Sequence, residues 1–573
     1  MNIHHFLQLA LAVLSLSQVY STCTPSQVIL TPGKPAASTM WVSWVTVENC
    51  TSVVELVEAS ANDAATHDDL AVVRVAGSAG KKYSTTYEAY GFYESDFIHH
   101  VRLDNLQSES IYTYRAGGQL FDAASSAVDA DCTYSAYKTF RTPLAPGSRS
   151  PMRFAIVGDL GQTEDSLSTV QEVRNTTLLD YSAIGRGIEP TLMMLVGDLS
   201  YADGFGPRWD SWGELMSPVL SELPLVAFSG NHEVEEDSVT GETFMHFRKR
   251  FPMPESAPEQ TAPAGTLSWS DYDLDTTYDY GSSYFSFDTG MVHSICLNAY
   301  THTEASSLQY QWLENDLAAI DREATPWVLV FVHGPWYNSN QIHQSEVATT
   351  RMKAAMEPLL HQYRVATVWA GHVHAYERTH PVYMEQRNNE SGTVYVTIGD
   401  GGNREGLYDY WESSAEWIAV QNGQHYGRGD LLVVNETHAR WQWWPNGYTE
   451  AEDEAWIVNP HTAVSEGSYP TSYGALIGAA VATVLILAAA AAAIKWLRSK
   501  QGTTGPTDKA ELLGEKASSL HGLEMEQRQS PGQRQGKIPP SNTNRDAALA
   551  QQETAGIMTA GAEDDEETIW THP

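Results

Sequence analysis

The sequence predicts an α/β protein of two folded units, an antiparallel β-sandwich followed by a larger α/β domain, and then one transmembrane helix. Three observations carry this reading. Residues 24–142 contain short runs in which apolar and polar side chains alternate, such as Met40-Trp41-Val42-Ser43-Trp44-Val45 and Ile111-Tyr112-Thr113-Tyr114-Arg115, separated by polar, glycine-containing turns. A period of two puts successive side chains on opposite faces, the pattern of strands in a two-sheet sandwich. From Met152 the pattern changes to continuous apolar strands followed by helical segments, as in an α/β domain whose sheets are covered on both faces. Residues 474–494 then form a run of 21 residues without a charge, mostly Ala, Val, Leu and Ile.

Length and charge narrow the function classes. A chain of 573 residues has room for roughly two to four domains. With 34 basic against 71 acidic residues the net charge is −37, which excludes nucleic-acid binding driven by counterion release. Charged residues make up only 18% and hydrophobic ones 42%, so the chain can build cores. Four cysteines are too few for a disulfide scaffold. Cys23, Cys50 and Cys132 fall in the sandwich, where one bridge fits and the spacing leaves its pairing open; Cys296, in an apolar strand, reads as a buried thiol.

Taken from the N-terminus, residues 1–21 hold an apolar stretch and small residues near Ser21, which read as a secretory signal peptide. The sandwich occupies 22–142. Residues 143–151, with Gly147 and three prolines, form a linker. The α/β domain spans 152–460 and is followed by a juxtamembrane linker, 461–473. The uncharged run at 474–494 would extend about 30 Å as a helix, enough to cross a bilayer. Lys495, Arg498 and Lys500 follow it, so the tail (495–573) is cytosolic and the folded part lies outside the cell or in a lumen. Four Asn-x-Ser/Thr acceptor sites, Asn49, Asn175, Asn389 and Asn435, all fall on that side. The tail's composition is that of a disordered segment. Within it, Asp508 to Leu513 is similar to an acidic dileucine signal for sorting adaptors, and equally to a chance Leu-Leu pair.

In the α/β domain, strand after strand ends in a metal-binding residue type. Strands at 153–157, 191–196 and 225–229 lead into Gly158-Asp159-Leu160-Gly161, Gly197-Asp198-Leu199-Ser200-Tyr201 and Gly230-Asn231-His232-Glu233. Strands at 327–332 and 365–370 deliver His333 and Gly371-His372-Val373-His374; a sixth, at 292–297, carries no such residue and reads as core. Ligands in open α/β sheets gather at the carboxyl ends of strands. Singly, each loop has an ordinary alternative, a turn, a helix cap or a core histidine. Together Asp159, Asp198, Tyr201, Asn231, His333, His372 and His374 offer oxygen and nitrogen donors without a thiolate. That set suits iron, zinc or manganese, and it is large enough for two metals sharing a carboxylate.

These blocks resemble the purple acid phosphatases of the calcineurin-like metallophosphoesterase superfamily, whose motifs GDxG, GDxxY, GNH(E/D), VxxH and GHxH occur here in order, the fourth as Val330-Phe331-Val332-His333. Further stretches are similar to the plant-type, high-molecular-weight branch: Tyr201-Ala202-Asp203, Arg208 to Gly213, Arg250 to Pro254, Ala375-Tyr376-Glu377-Arg378 and Ile398 to Asn403. The resemblance spans residues 24–446. It implies a fibronectin-III-like sandwich and a four-layer α/β/β/α catalytic domain. It also implies Asp159, Asp198, Tyr201 and His374 around Fe(III), with Asp198 bridging to a divalent zinc, iron or manganese held by Asn231, His333 and His372. The implied reaction is hydrolysis of phosphate monoesters at acid pH by a metal-bound hydroxide. His232, beside Asn231, resembles the substrate-binding histidine, and Glu233 either fixes its orientation or faces solvent. His343 stands where the family has a second phosphate-facing histidine; plant-type relatives often carry two adjacent histidines, and this chain has Ile342-His343. Residues 254–283 form an insertion rich in Pro, Ala, Asp and Tyr, either a lid over the site or a plain surface loop. Two other readings compete: a phosphodiesterase or nucleotide pyrophosphatase with the same metals, and a phosphate-sensing receptor using the tail as output.

Overall fold

A computed structural model describes residues 23–59, 72–121, 132–175, 190–260, 278–412 and 414–462. The signal peptide, residues 261–277 of the insertion, the uncharged run at 474–494 and the tail lie outside the described residues. Among the described residues no helix is long and apolar enough to cross a membrane.

The N-terminal unit is a sandwich. One sheet has three strands, Ser26–Pro32, Met40–Thr46 and Phe97–Leu103; the other runs Lys138–Arg141, Ile111–Gly118, Ser52–Ala59, Val73–Gly77, with Thr133–Tyr134 paired to Ile111–Gly118. Leu30, Met40, Val42, Trp44, Val54 and Tyr114 fill the space between them. Cys23 bonds Cys50 and ties the first strand to the start of the third; Cys132 and the buried Cys296 stand outside that disulfide.

Alternation predicts one dry and one wet face for Met40–Thr46. Met40, Val42 and Trp44 do face the sandwich core, yet Ser43, Val45 and Thr46 are buried as well. Val45 packs with Tyr83, Ile98 and Met245, so the outer face of this sheet lies against the catalytic domain. Beside it the His246 ring stacks between Tyr87 and Trp209, while its Nδ1 meets the Tyr83 hydroxyl at 2.6 Å.

The catalytic unit contains two mixed sheets. The six-stranded sheet runs Leu225–Ala227, Pro190–Leu195, Met152–Val157, Gly427–Val433, His438–Pro445, Asp453–Val458. The seven-stranded sheet runs Phe285–Thr289, Val292–Cys296, Trp327–Phe331, Thr367–Ala370, Val394–Ile398, Tyr376–Thr379, Ile418–Asn422. Their facing sides share one hydrophobic core. Trp369 meets Trp441 across it at 4.5 Å between ring centroids, and Tyr376 stacks on Trp443 at 4.5 Å. Burial on both faces explains why Trp327–Phe331 reads as an unbroken apolar run and Met152–Val157 as one interrupted only by Arg153, whose charge is paired with Asp430. The strand at Val292–Cys296 is fully buried and belongs to the core, with Cys296 a buried thiol. Helix Pro207–Leu220 begins with proline, a residue preorganised for the first helical position, and packs on the sandwich strand Ser26–Pro32. Helix Glu164–Arg174 is capped by Thr163 and touches both that helix and strand Gly427–Val433. Helices Leu308–Ala319 and Val347–Gln362 pack on one another.

Several carboxyls are buried in this frame. Burial pushes Glu377 up to about 7, Glu235 up to about 8 and Asp400 up to about 7. A carboxyl whose folded value is raised binds its proton more readily in the folded chain, so stability rises as pH falls through that value towards the ordinary range. Buried His99 and His246, pushed down by burial to about 4 and about 2, oppose this only once pH drops below their ordinary value of 6.5. The thermal midpoint should therefore rise between pH 8 and pH 6.5, and the rise should shrink in Glu377→Gln. An undiminished rise in that variant would assign the titration to other groups.

Candidate metal centre

The seven residues singled out at strand ends converge, and the two sheets divide the donors between them. Asp159, Asp198, Tyr201 and Asn231 follow strands of the six-stranded sheet, whereas His333, His372 and His374 follow strands of the seven-stranded sheet. All seven are buried, Asn231 the least, at 9% exposure. Asp159, Asp198, Tyr201 and His372 have φ between 51° and 69°, the left-handed region, which turns each chain sharply at its strand end. Glycine precedes the ligands at Gly230 and Gly371 for a steric reason. A Cβ at Gly230 would stand 2.0 Å from Asp198 Oδ1, and one at Gly371 2.1 Å from Asp159 Oδ2.

The hydrogen bonds fix the imidazole tautomers. His333 Nδ1 lies 2.8 Å from the Val196 carbonyl, His374 Nδ1 lies 3.1 Å from the Gly406 carbonyl, and His372 Nε2 lies 2.8 Å from Glu346 Oε2. Each acceptor draws the ring proton to that nitrogen, so the other nitrogen presents a lone pair. The His333 lone pair faces Asn231 Oδ1 and Asp198 Oδ2, both at 3.0 Å; that of His372 faces Asn231 Oδ1 at 2.9 Å. That of His374 faces the Tyr201 hydroxyl at 3.0 Å and Asp159 Oδ1 at 3.6 Å. Lone pairs aimed at carboxylate and amide oxygens repel unless a cation lies among them, and Asp198 Oδ2 has no hydrogen-bond donor. This donor set therefore fits divalent or trivalent metal ions, with the second ring nitrogens anchored as metal-binding histidines require. Burial also lowers His372 to about 4 and His374 to about 3, which keeps both neutral as ligands must be. Burial and the neighbouring Asp198 charge push Asp159 well up, a penalty that bound cations would reverse.

Around this centre stand residues that sequence reasoning placed and others it missed. His232 Nδ1 hydrogen-bonds Asp203, and its Nε2 lies 3.9 Å from Asp198 Oδ2 and 3.6 Å from Glu405 Oε1. Asp203, rather than the adjacent Glu233, holds the ring. Glu233 is fully buried and accepts backbone N–H groups from Asp198 (2.8 Å), Leu199 (2.9 Å) and Gly230 (2.8 Å), so it clamps two ligand loops together. His343 is partly exposed; its Nδ1 meets Glu346 Oε1 at 2.7 Å and its ring centroid lies 4.0 Å from that of His372. One carboxylate, Glu346, thus holds both rings. Tyr408 stacks on His374 at 4.5 Å. Asp203 belongs to the Tyr201-Ala202-Asp203 stretch similar to the plant-type branch, whereas no sequence signal marks Glu346 or Glu405. The described ends of the insertion zip together, with Ser256 and Ala257 N–H both 3.0 Å from the Gly281 carbonyl and Tyr280 buried against Ser229.

Three family models match the chain. A family model described as purple acid phosphatase, N-terminal domain, matches residues 25–142; one described as calcineurin-like phosphoesterase matches 152–376; and one described as iron/zinc purple acid phosphatase-like protein C matches 392–454. The probable purple acid phosphatase 20 of Arabidopsis thaliana is 38% identical over 379 residues, 66% of this chain and 78% of the relative. The chain belongs to the purple acid phosphatase family. Membership makes it a phosphoric monoester hydrolase of the plant-type branch and implies a dinuclear metal centre. Purple acid phosphatase 22 of Arabidopsis thaliana is 37% identical, covering 68% of this chain and 77% of its own length. A phosphoenolpyruvate phosphatase of Allium cepa is 32% identical, covering 73% and 78%. A solved purple acid phosphatase from yellow lupin seeds shares the fold with a TM-score of 0.63 over 78% of this chain and 77% of that one, at 20% identity.

In this purple acid phosphatase the Glu233 clamp is open to a direct test. Glu233→Ala leaves three buried N–H groups without an acceptor, at roughly 1–3 kcal/mol each if water does not replace it. A lowered thermal midpoint and faster loss of metal to a chelator are expected. An unchanged midpoint and metal content would show the clamp to be dispensable.

Proposed function

We propose that this chain is a membrane-anchored acid phosphatase that hydrolyses phosphate monoesters outside the cytosol. The observation carrying the reading is the set of three imidazole lone pairs aimed at Asp159, Asp198, Tyr201 and Asn231, with His232 and His343 beside it. In this reading Asp159, Asp198, Tyr201 and His374 hold Fe(III), and Asp198, Asn231, His333 and His372 hold zinc, iron or manganese. Phenolate is a hard, charge-donating ligand, which favours the ferric ion beside Tyr201. When bound, two such cations supply an acidified water as nucleophile and neutralise charge on the transferred group.

The chain's own residues do the rest. His232 offers Nε2 to a phosphoryl oxygen, because Asp203 holds Nδ1. Asn231 and His343 also face the substrate. His343, held through Nδ1 by Glu346, gives its proton to the ester oxygen as the P–O bond breaks, so an alcohol leaves rather than an alkoxide. Anchoring and topology rest on the uncharged run at 474–494, the basic residues after it and the acceptor sites. Asn175 and Asn389 are exposed, and Asn49 and Asn435 are partly so. Sorting adaptors would read the segment from Asp508 to Leu513, in endosomes, lysosome or vacuole.

The test is the ratio of turnover on a phosphate monoester to that on a matched diester, for the full chain in detergent, reconstituted with iron and zinc, from pH 4 to pH 8. A ratio well above one with an acid optimum is expected. A ratio below one would make the protein a diesterase, and no turnover on either would favour a phosphate-sensing receptor. His343→Ala should lower turnover of alkyl phosphates by about 10²-fold or more, in the usual range for general acid catalysis, and that of nitrophenyl phosphate much less. Equal losses would remove His343 from the proton-donor role.

A further inference from the structure

We infer that Arg404 is a positioning residue that holds the loop carrying Tyr201 and Asp203 in its working shape, and through it the substrate-facing His232. The loop is bent in an unusual way. Tyr201 and Asp203 have φ of 52° and 50°, and Gly204 has φ of 85°, so three of four consecutive residues are left-handed. For Tyr and Asp that conformation is unfavourable and persists only where surrounding contacts over-determine it.

Arg404 makes those contacts from far along the chain, in the segment after strand Val394–Ile398. Its Nη1 donates to the Tyr201 carbonyl and its Nη2 to Asp203 Oδ2, so one guanidinium bridges both strained residues. The other carboxylate oxygen of Asp203 takes His232 Nδ1. The His232 ring in turn packs on the Tyr201 ring at 4.1 Å between centroids, closing a circuit from Arg404 through Asp203 and His232 to Tyr201. Arg208 also reaches the Tyr201 carbonyl, at 3.4 Å, but among the hydrogen bonds described it does not touch Asp203. Only a planar fork can satisfy a carbonyl and a carboxylate together at fixed separation; an ammonium is a single point charge.

This inference rests on His232 meeting the substrate, and the test separates the two. Hydrogen exchange of the full chain as purified, without added substrate, is measured by mass spectrometry for wild type, Arg404→Gln, Arg404→Lys and, as a control on a remote surface ion pair, Lys353→Gln. Faster exchange confined to residues 200–206 is expected in both Arg404 variants and not in the control. In the reconstituted enzyme, kcat/KM should fall about tenfold in Arg404→Gln, recover little in Arg404→Lys, and fall no further when Asp203→Asn is added, as coupled residues behave. Unchanged exchange at 200–206 would overturn the inference, as would full recovery by lysine or additive losses in the double variant. An inactive wild type would defeat the phosphatase reading while leaving the exchange result to decide on Arg404.

Discussion

Two buried carboxylates, a phenol, an amide oxygen and three imidazole lone pairs held within a few ångströms of one another set the terms for the rest of this molecule. Such groups repel, lose hydration on burial, and are stable together only around cations. The fold meets that demand by stacking two sheets so that strand ends from both open onto one place. One sheet supplies the oxygens and the other the nitrogens. Trp369 against Trp441 and Tyr376 against Trp443 keep the two sheets in register across the core, which in turn fixes the distance between the two donor groups.

The histidines divide by what holds their second nitrogen. His333 and His374 are anchored by backbone carbonyls, acceptors that keep a ring neutral and its lone pair directed. His232 and His343 are anchored by carboxylates, Asp203 and Glu346. For His232, burial opposes the charge, but Asp198, Asp203 and Glu405 outweigh it and push the ring up to about 10. His372 sits between the classes, sharing Glu346 with His343, and burial and the neighbouring histidine keep it low. Ligation and proton donation thus come from one residue type, separated by the partner each ring is given.

The donors themselves were legible in the sequence because each is local: an apolar strand, a turn, then a metal-binding side chain. What supports them was not. Asp203 and Arg404 are 201 positions apart, and nothing in either neighbourhood announces their pairing. Glu346 lies at the start of helix Val347–Gln362, where an acidic residue has an ordinary explanation as a complement to the helix dipole. Adjacency misled at Glu233, since consecutive residues of the short turn Asn231–Glu233 point different ways: His232 towards Asp203, Glu233 back into the protein. The sandwich was read correctly from its alternation, but that period could not show that Val45 would be covered by a helix two hundred residues later.

That covered face changes how the N-terminal domain is understood. Its hairpin, Ser84–Tyr87 with Gly91–Glu94, lays the rings of Tyr87 and Tyr93 over Gly204 and Gly206, in the loop that begins with Tyr201. Tyr87 donates to the Glu235 carbonyl at 3.0 Å, and Glu235 in turn accepts the Gly204 N–H at 2.9 Å. The Thr86 N–H donates to Asp237. The loop is therefore gripped from two directions, by the sandwich hairpin on one side and by Arg404 on the other. A strained segment that carries both a metal-binding phenol and the carboxylate behind His232 needs such restraint, because a small displacement would move both at once. The sandwich is in this sense part of the catalytic apparatus, even though it contributes none of the converging donors.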